Sequence, residues 1–263
     1  MKKILSLVLV LVMALSLVAC GGKTDSDDTP VQDNNVVTEE DTDKDTETED
    51  TTKEDTTTEI KADSLDALEE MVNKDVEDTI AALTKDYEDL KIEIDTYDKY
   101  KANTETVEAF YADVFAAHQG LTIRLREYAL TYAEMILTSD SDADNKYDEM
   151  EELYDVIYDG VGEDVYDEIY DGILDDMYDV FYDGILDDAY DTVEYSEWSD
   201  LRSDEYDWWS DTRSDVYDDW SDFRSDVYDF WSDMRSDLWD DDIEKATESV
   251  EDFKADIEKL KDK

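Results

Sequence analysis

Two internal repeats, one with a 12-residue unit and one with an 11-residue unit, constrain the fold of this chain more than any other feature. From 154 to 195, apolar residues fall at almost every fourth place, and three such tetrads make a 12-residue unit that contains one of Gly160, Gly172 and Gly184. From 196 to 241, each unit has the form W-S-D-x-R-S-D-x-Y/W-D-x. Apolar residues that recur at such spacings are typical of helices that bury one face. We therefore expect a long repeat-bearing helical region.

The two periods predict different helix geometries. On an ideal α-helix each step of four residues advances ~40°, so a stripe of period four circles the helix about once in nine steps. Either that helix wraps right-handedly around its neighbours or it breaks at the glycines, and the sequence favours one long, strained helix. A period of 11 corresponds to ~3.67 residues per turn, which keeps its stripe nearly straight.

Each 11-residue unit places one arginine between aromatic residues four positions away on either side. Residues four apart are neighbours on a helix, so each guanidinium can stack on a ring at ~0.5–1 kcal/mol per exposed contact. None of the four arginines has an aspartate three or four residues away, which indicates acidic partners on another helix or another chain. We interpret this set as an assembly seam, and the alternative is a strip that binds glycans or cationic ligands. The set, called the Trp–Arg ladder below, comprises Trp198, Arg202, Trp209, Arg213, Trp220, Arg224, Trp231 and Arg235.

The chain is strongly acidic, with a formal net charge of −56 from 79 acids and 23 bases. A field of that sign repels nucleic acid and anionic lipid head groups, so it excludes both as partners. It favours divalent cations, polyamines and basic protein surfaces. In the 12-residue repeat, acids four apart repel one another by ~0.2–0.5 kcal/mol per pair. A solvated face is the simpler interpretation, and diffuse Ca²⁺ or Mg²⁺ association is the alternative.

Two coiled-coil-like helices are predicted before the repeats, over 64–138. Ser64 can cap the first, whose apolar residues recur at steps of three and four as far as Tyr97. Asn103 or Thr104 begins the second. An acidic linker follows over 139–153, and an amphipathic helix over 242–263 ends the chain. With one proline and seven glycines, the chain has little turn chemistry for sheets. The sequence therefore predicts an all-α, elongated helical bundle.

The linker contains a possible metal-binding loop. Its acidic residues fall at positions 1, 3, 5, 9 and 12 of a 12-residue segment between two helical patterns, and the segment resembles a calcium-binding EF-hand loop. The resemblance implies that Ca²⁺ binds to these carboxylates. Asn145 stands where the family has glycine, and asparagine tolerates the left-handed backbone of that position. The candidate ligands are Asp140, Asp142, Asp144, Asp148 and Glu151.

The N-terminal segment carries a localisation signal. An apolar run from Ile4 to Ala19 follows Lys2 and Lys3 and ends in Leu17-Val18-Ala19-Cys20. It is shorter than the ~20 residues that a membrane-spanning helix needs and is typical of a removable export signal. The segment resembles the signal peptides of bacterial lipoproteins. That resemblance implies cleavage after Ala19, a lipid on Cys20, and a location at the outer face of the cell membrane.

A disordered spacer is predicted behind the lipid anchor, over 20–63. Its stretch 23–63 holds 16 acids, 4 bases and 11 threonines. Such a composition buries too little apolar surface to offset the entropy of ordering.

Motifs that carry catalysis are missing from the sequence. It contains no glycine-rich phosphate loop, nucleophile elbow or histidine pair, and His118, the one histidine, falls in an apolar helical stretch typical of a structural role. The sequence therefore predicts no enzyme and no cofactor other than possible Ca²⁺. It favours a non-catalytic structural or interaction module at the cell envelope, which associates with itself or with a basic protein. The alternatives are a cation-binding surface protein and an aromatic strip for cell-wall glycans or cationic ligands.

Overall fold

The computed structural model describes residues 60–261, and the predicted signal peptide and most of the predicted spacer lie outside that range. Within it every regular element is a helix and no strand occurs, which confirms the all-α fold. The helices before and after the central region are α1 (Leu65–Glu93), α2 (Tyr97–Ala102), α3 (Thr104–Thr138), α8 (Tyr195–Trp239) and α9 (Ile243–Lys261). The central region, called the α/π helix, comprises α4 (Ala143–Leu153), π1 (Tyr154–Val161), α5 (Gly162–Tyr166), π2 (Asp167–Ile173), α6 (Leu174–Met177), π3 (Tyr178–Leu186) and α7 (Asp187–Ala189).

The helices before the repeats begin near the predicted positions. Ser64 caps α1, because its Oγ accepts a hydrogen bond from the Ala67 amide at 3.2 Å. α1 ends at Glu93, earlier than the apolar pattern predicts, and the short α2 carries Tyr97. α3 begins at Thr104 and runs for 35 residues. The apolar residues that α1 buries are Leu68, Val72, Val76, Leu83, Tyr87 and Leu90.

The α/π helix explains the period of four. Its backbone is right-handed helical at each junction between segments. A π turn closes its hydrogen bond one residue later than an α turn and so holds more residues. Three α turns hold roughly 10.8 residues, and alternating π turns lengthen three turns to one full 12-residue unit. The period-four stripe consequently runs straight and is buried from Ile157 to Phe181. The sequence predicted a strained helix, because a period-four stripe rotates around an ideal α-helix. The alternation of α and π turns removes that rotation and so relieves the strain.

One glycine of the α/π helix is required by close packing. A Cβ on Gly162 would lie 2.7 Å from the Ile157 carbonyl oxygen and 2.7 Å from Cε1 of Phe223. The same addition at Gly172 would meet only the Asp167 carbonyl oxygen, at 3.6 Å. The missing side chain at Gly162 thus lets the α/π helix approach α8 closely.

These helices pack side by side around one hydrophobic core. α3 contacts α1, α4, α8 and α9, while α8 contacts α3, α9 and the α/π helix. α8 has 45 residues and is therefore about 68 Å long. Ile60 and Ala62, the described end of the predicted spacer, also pack against the core. No described helix is long and apolar enough to span a membrane.

Candidate functional site

The Trp–Arg ladder faces the α/π helix, and we call their line of contact the seam. Its arginines recur once in each 11-residue unit of α8, and they pair with acids that recur once in each 12-residue unit of the α/π helix. In the pair with ordinary hydrogen-bond length, Arg224 Nη1 lies 2.9 Å from Glu163 Oε2. The matching intervals show that one unit of α8 aligns with one unit of the α/π helix. The four pairs are Arg202–Asp187, Arg213–Asp175, Arg224–Glu163 and Arg235–Glu151.

Each guanidinium lies between a tryptophan of α8 and a tyrosine of the α/π helix. The guanidinium carbon is 4.9–5.2 Å from the centroid of the tryptophan four residues earlier. It is only 4.0–4.5 Å from the tyrosine centroid. The sequence predicted a second ring four residues after each arginine, and the partner tyrosine takes that place. Helical side chains lean towards the N-terminus, so each arginine reaches its preceding neighbour and not the following one. The partner tyrosines are Tyr182, Tyr170, Tyr158 and Tyr147.

The tryptophans repeat the same register. Each ring packs on a tyrosine of the α/π helix or, for Trp198, on Tyr190 directly after its end, with centroids 4.2–4.8 Å apart. Three of those tyrosines also stack on the tyrosine four residues later, at 4.5–4.6 Å. The tryptophan–tyrosine contacts are Trp198–Tyr190, Trp209–Tyr178, Trp220–Tyr166 and Trp231–Tyr154.

Hydrogen bonds from indole groups fix the two ends of the seam. Trp198 Nε1 donates to the Leu186 carbonyl at 2.6 Å, and Trp231 Nε1 donates to the Met150 carbonyl at 2.9 Å. The two tryptophans stand three units apart on α8, and the two carbonyls stand three units apart on the α/π helix. The indole nitrogens of Trp209 and Trp220 are buried without a protein hydrogen-bond partner.

The seam favours the charged form of Arg202, Arg213 and Arg224, because their surroundings raise the pKa of each guanidinium. Burial lowers the pKa of the Arg213 guanidinium, but the Tyr170 hydroxyl and the carboxylates of Asp175 and Asp171 outweigh burial and raise that pKa overall. Two carboxylates of the α/π helix thus face this one guanidinium. The acidic partners predicted from another helix or chain are therefore supplied, in this structure, by another helix of the same chain.

A buried carboxylate on α8 was not predicted from the sequence. Glu205 is fully buried and accepts hydrogen bonds from Tyr100 Oη at 2.5 Å and Tyr111 Oη at 2.6 Å. Burial raises the pKa of its carboxyl to about 7, against the lowering effect of the two tyrosine hydroxyls. One signal was available: Val216, Val227 and Leu238 occupy the equivalent place in the next three units, so Glu205 stands at an inward position.

Two further polar contacts join α3 to α8. His118 is fully buried, and its Nδ1 lies 3.0 Å from Asp219 Oδ2, which also accepts a hydrogen bond from Thr122 at 2.7 Å. Burial would raise the pKa of the Asp219 carboxyl, but His118 and Thr122 hold that pKa below its ordinary value. Arg126, only 2% exposed, pairs with Asp226 through Nη2 at 2.9 Å. The contacts at His118 and Arg126 connect helices within the core.

The segment that resembles an EF-hand loop is mostly helical. α4 begins at Ala143, and Asp142 caps it by accepting a hydrogen bond from the Asn145 amide at 3.0 Å. Lys146 is buried, and its Nζ donates to the carbonyls of Ile136, Leu137 and Ser139 at 2.7–2.8 Å at the end of α3.

The five predicted ligands, Asp140, Asp142, Asp144, Asp148 and Glu151, form no metal-binding group in the described structure. Glu151 instead pairs with Arg235. A loop site built from these residues would require α4 to unwind, and Ca²⁺ binding stays a prediction.

Comparisons with known proteins identify no relative. No protein-family model, no curated protein and no solved structure matches the chain. The predicted lipid-bearing residue, Cys20, lies outside the described residues. The seam is therefore the feature on which a functional argument can be built.

Proposed function

We propose that this chain is a non-catalytic structural or interaction module, tethered by a lipid on Cys20 to the outer face of the cell membrane. The observation that carries the proposal is the register of the seam. Four 11-residue units of α8 align with four acidic partners that recur once per 12-residue unit, so every arginine of the Trp–Arg ladder pairs with the neighbouring helix.

The chemistry of the seam supports a mechanical role. Cation–π contacts contribute about 0.5–1 kcal/mol each when exposed and more when desolvated, and these guanidinium side chains are only 24–29% exposed. Aromatic pairs add about 0.5–1.5 kcal/mol each. These contacts repeat along α8, which is about 68 Å long. They therefore stiffen the pair that α8 forms with the α/π helix. A stiff, strongly acidic bundle behind a lipid anchor suits a scaffold that holds other molecules at the envelope.

Labelling with radioactive palmitate tests the tether. The full chain is produced in a bacterial host, alongside Cys20→Ser and the matched spacer variant Lys23→Ser. We expect the unaltered chain and Lys23→Ser to take up label and to sediment with membranes, while Cys20→Ser does neither. Label on Cys20→Ser, or an unlabelled soluble form of the unaltered chain, would contradict the tether.

Sedimentation of the detergent-solubilised chain tests the scaffold role. Because its own α/π helix satisfies the Trp–Arg ladder, we expect the chain to sediment as a monomer with a high frictional ratio.

The quadruple change of Arg202, Arg213, Arg224 and Arg235 to alanine is expected to lower the melting temperature. The matched control Arg124→Ala removes an arginine that pairs with Asp75, away from the seam. An unchanged melting temperature in the quadruple variant would contradict a mechanical role for the seam.

A further inference from the structure

α8 exposes a second row of aromatic rings beside the seam. Four residues, one from each 11-residue unit, have 45–74% of their surface exposed. At about 3.67 residues per turn they stay on one face of α8, and successive rings are about 16.5 Å apart. Singly scattered surface rings need no explanation, but four rings at one regular spacing on one face can all contact the same elongated partner. This row, called the aromatic stripe, comprises Tyr206, Tyr217, Tyr228 and Trp239.

The surroundings of the aromatic stripe are strongly acidic. Residues 147–201, which include most of the facing α/π helix, contain 21 acids and no lysine, arginine or histidine. The four arginines of α8 are already paired with acids across the seam. A partner that brings cations to the aromatic stripe therefore meets a field that attracts it along its whole length.

The seam itself shows how this surface holds a cation. Four times, a guanidinium lies 4.0–4.5 Å from a tyrosine centroid of the α/π helix and pairs with a carboxylate of the same helix. The rings of the aromatic stripe lie directly beside these sites: Tyr206 is 6.0 Å from Tyr182, and Tyr228 is 6.1 Å from Tyr158, between centroids. Each ring of the aromatic stripe is thus exposed on one side and packs on its other side against a ring of the seam, where the same recognition chemistry already operates.

We propose that the aromatic stripe binds a lysine- or arginine-rich peptide segment of another protein. This inference rests on the proposed role as an interaction module and names the class of its partner. An extended peptide advances about 3.3 Å per residue, so cations at every fifth position reach successive rings. A second copy of this chain carries the same charge of −56 and is repelled. A neutral glycan can donate hydroxyl hydrogen bonds to the surrounding carboxylates, but it gains no attraction from the net negative charge.

The test measures binding of a fluorescent peptide that has arginine at every fifth position among serine and glycine. The detergent-solubilised full chain is titrated by fluorescence anisotropy at moderate and high salt. Three exposed cation–π contacts correspond to about a tenfold change in affinity or more. We therefore expect the triple change Tyr206→Ser, Tyr217→Ser and Tyr228→Ser to weaken binding at least about tenfold. The same three changes to phenylalanine retain the rings and should keep the affinity.

Ile92→Ser is the matched control, because Ile92 is 71% exposed but lies on α1 and not on α8, and we expect unchanged affinity. Equal binding by the unaltered chain and the triple serine variant would overturn the inference, because the attraction would then be unspecific. Absence of binding, or stronger binding of a neutral oligosaccharide than of the peptide, would overturn it as well. Palmitate labelling is independent of these outcomes. A chain that takes up palmitate but does not bind the peptide would contradict this inference and leave the tether unaffected.

Discussion

The change Glu205→Gln tests whether a buried carboxylate makes the stability of the bundle depend on pH. Glu205 is fully buried on α8, and its two oxygens accept hydrogen bonds from Tyr100 and Tyr111 at 2.5 and 2.6 Å. Burial raises the pKa of the carboxyl from 4.5 to about 7. The folded chain therefore holds the proton more tightly than the unfolded chain does.

The sign and size of the effect follow from that difference. Stabilisation by the bound proton is fully present below about pH 4.5 and is lost as the pH rises through 7. Each pKa unit corresponds to about 1.36 kcal/mol. Between pH 5 and pH 8 the contribution of Glu205 falls by about 2 to 3 kcal/mol. Glutamine is neutral at pH 5 and at pH 8, so the Glu205→Gln variant loses none of this stabilisation between them.

Urea unfolding at pH 5, 6, 7 and 8, followed by tryptophan fluorescence, measures this difference. These values stay above the sequence pI of about 4.1. We expect the free energy of unfolding of Glu205→Gln, minus that of the unaltered chain, to rise by about 2 to 3 kcal/mol from pH 5 to pH 8. Asp207→Asn removes a charge from an exposed position of the same helix and should give a flat difference. A flat difference for Glu205→Gln as well would show that the folded chain does not hold the Glu205 proton more tightly than the unfolded chain.

Three further predictions concern the α/π helix and its N-terminal end. Gly162→Ala should destabilise the bundle by about 1–3 kcal/mol in urea unfolding, because its Cβ meets atoms at 2.7 Å. Gly172→Ala, with 3.6 Å available, should be neutral or stabilising, and equal effects would contradict the packing argument. Lys146→Met leaves three carbonyls at the end of α3 without their donor and should cost about 1–3 kcal/mol; an unchanged unfolding midpoint would contradict that role. The helical α4 offers no loop that holds an ion between these carboxylates. Any rise in melting temperature that Ca²⁺ causes should therefore be equal with and without Asp140→Ala and Glu151→Ala. A rise confined to the unaltered chain would establish the loop site.

The periodicity of the sequence predicted much of the fold, because burial of an apolar stripe is written into residue spacing. The helical nature of every regular element in the described range, the cap at Ser64 and the start of α3 near Asn103 all follow from local pattern. Period four did not reveal π turns, since the expected geometry was an ideal α-helix. The reason for the π turns lies in the packing on α8. Three turns of one helix must match three turns of the other for an 11-residue unit to face a 12-residue unit.

The candidate site was predicted in composition but not in pairing. The lack of aspartates three or four residues from the arginines of α8 indicated acidic partners on another helix or chain. Only the structure identifies Asp187, Asp175, Glu163 and Glu151 as the partners. From the sequence, the simpler interpretation of the acidic residues of the α/π helix was a solvated face. Glu205 was missed among 79 acids, although the apolar residues at the equivalent place of the next three units mark its position as inward.

Double-mutant cycles across the seam test whether the 11-residue units of α8 align with the 12-residue units of the α/π helix. Trp220 stacks on Tyr166 with centroids 4.2 Å apart, whereas Tyr178, one 12-residue unit further on, packs on Trp209. Changing each residue to leucine, singly and together, yields a coupling energy from urea unfolding. The alignment predicts a coupling of about 0.5–1.5 kcal/mol between Trp220 and Tyr166 and none between Trp220 and Tyr178. No coupling in the first pair, or equal coupling in both, would contradict the alignment.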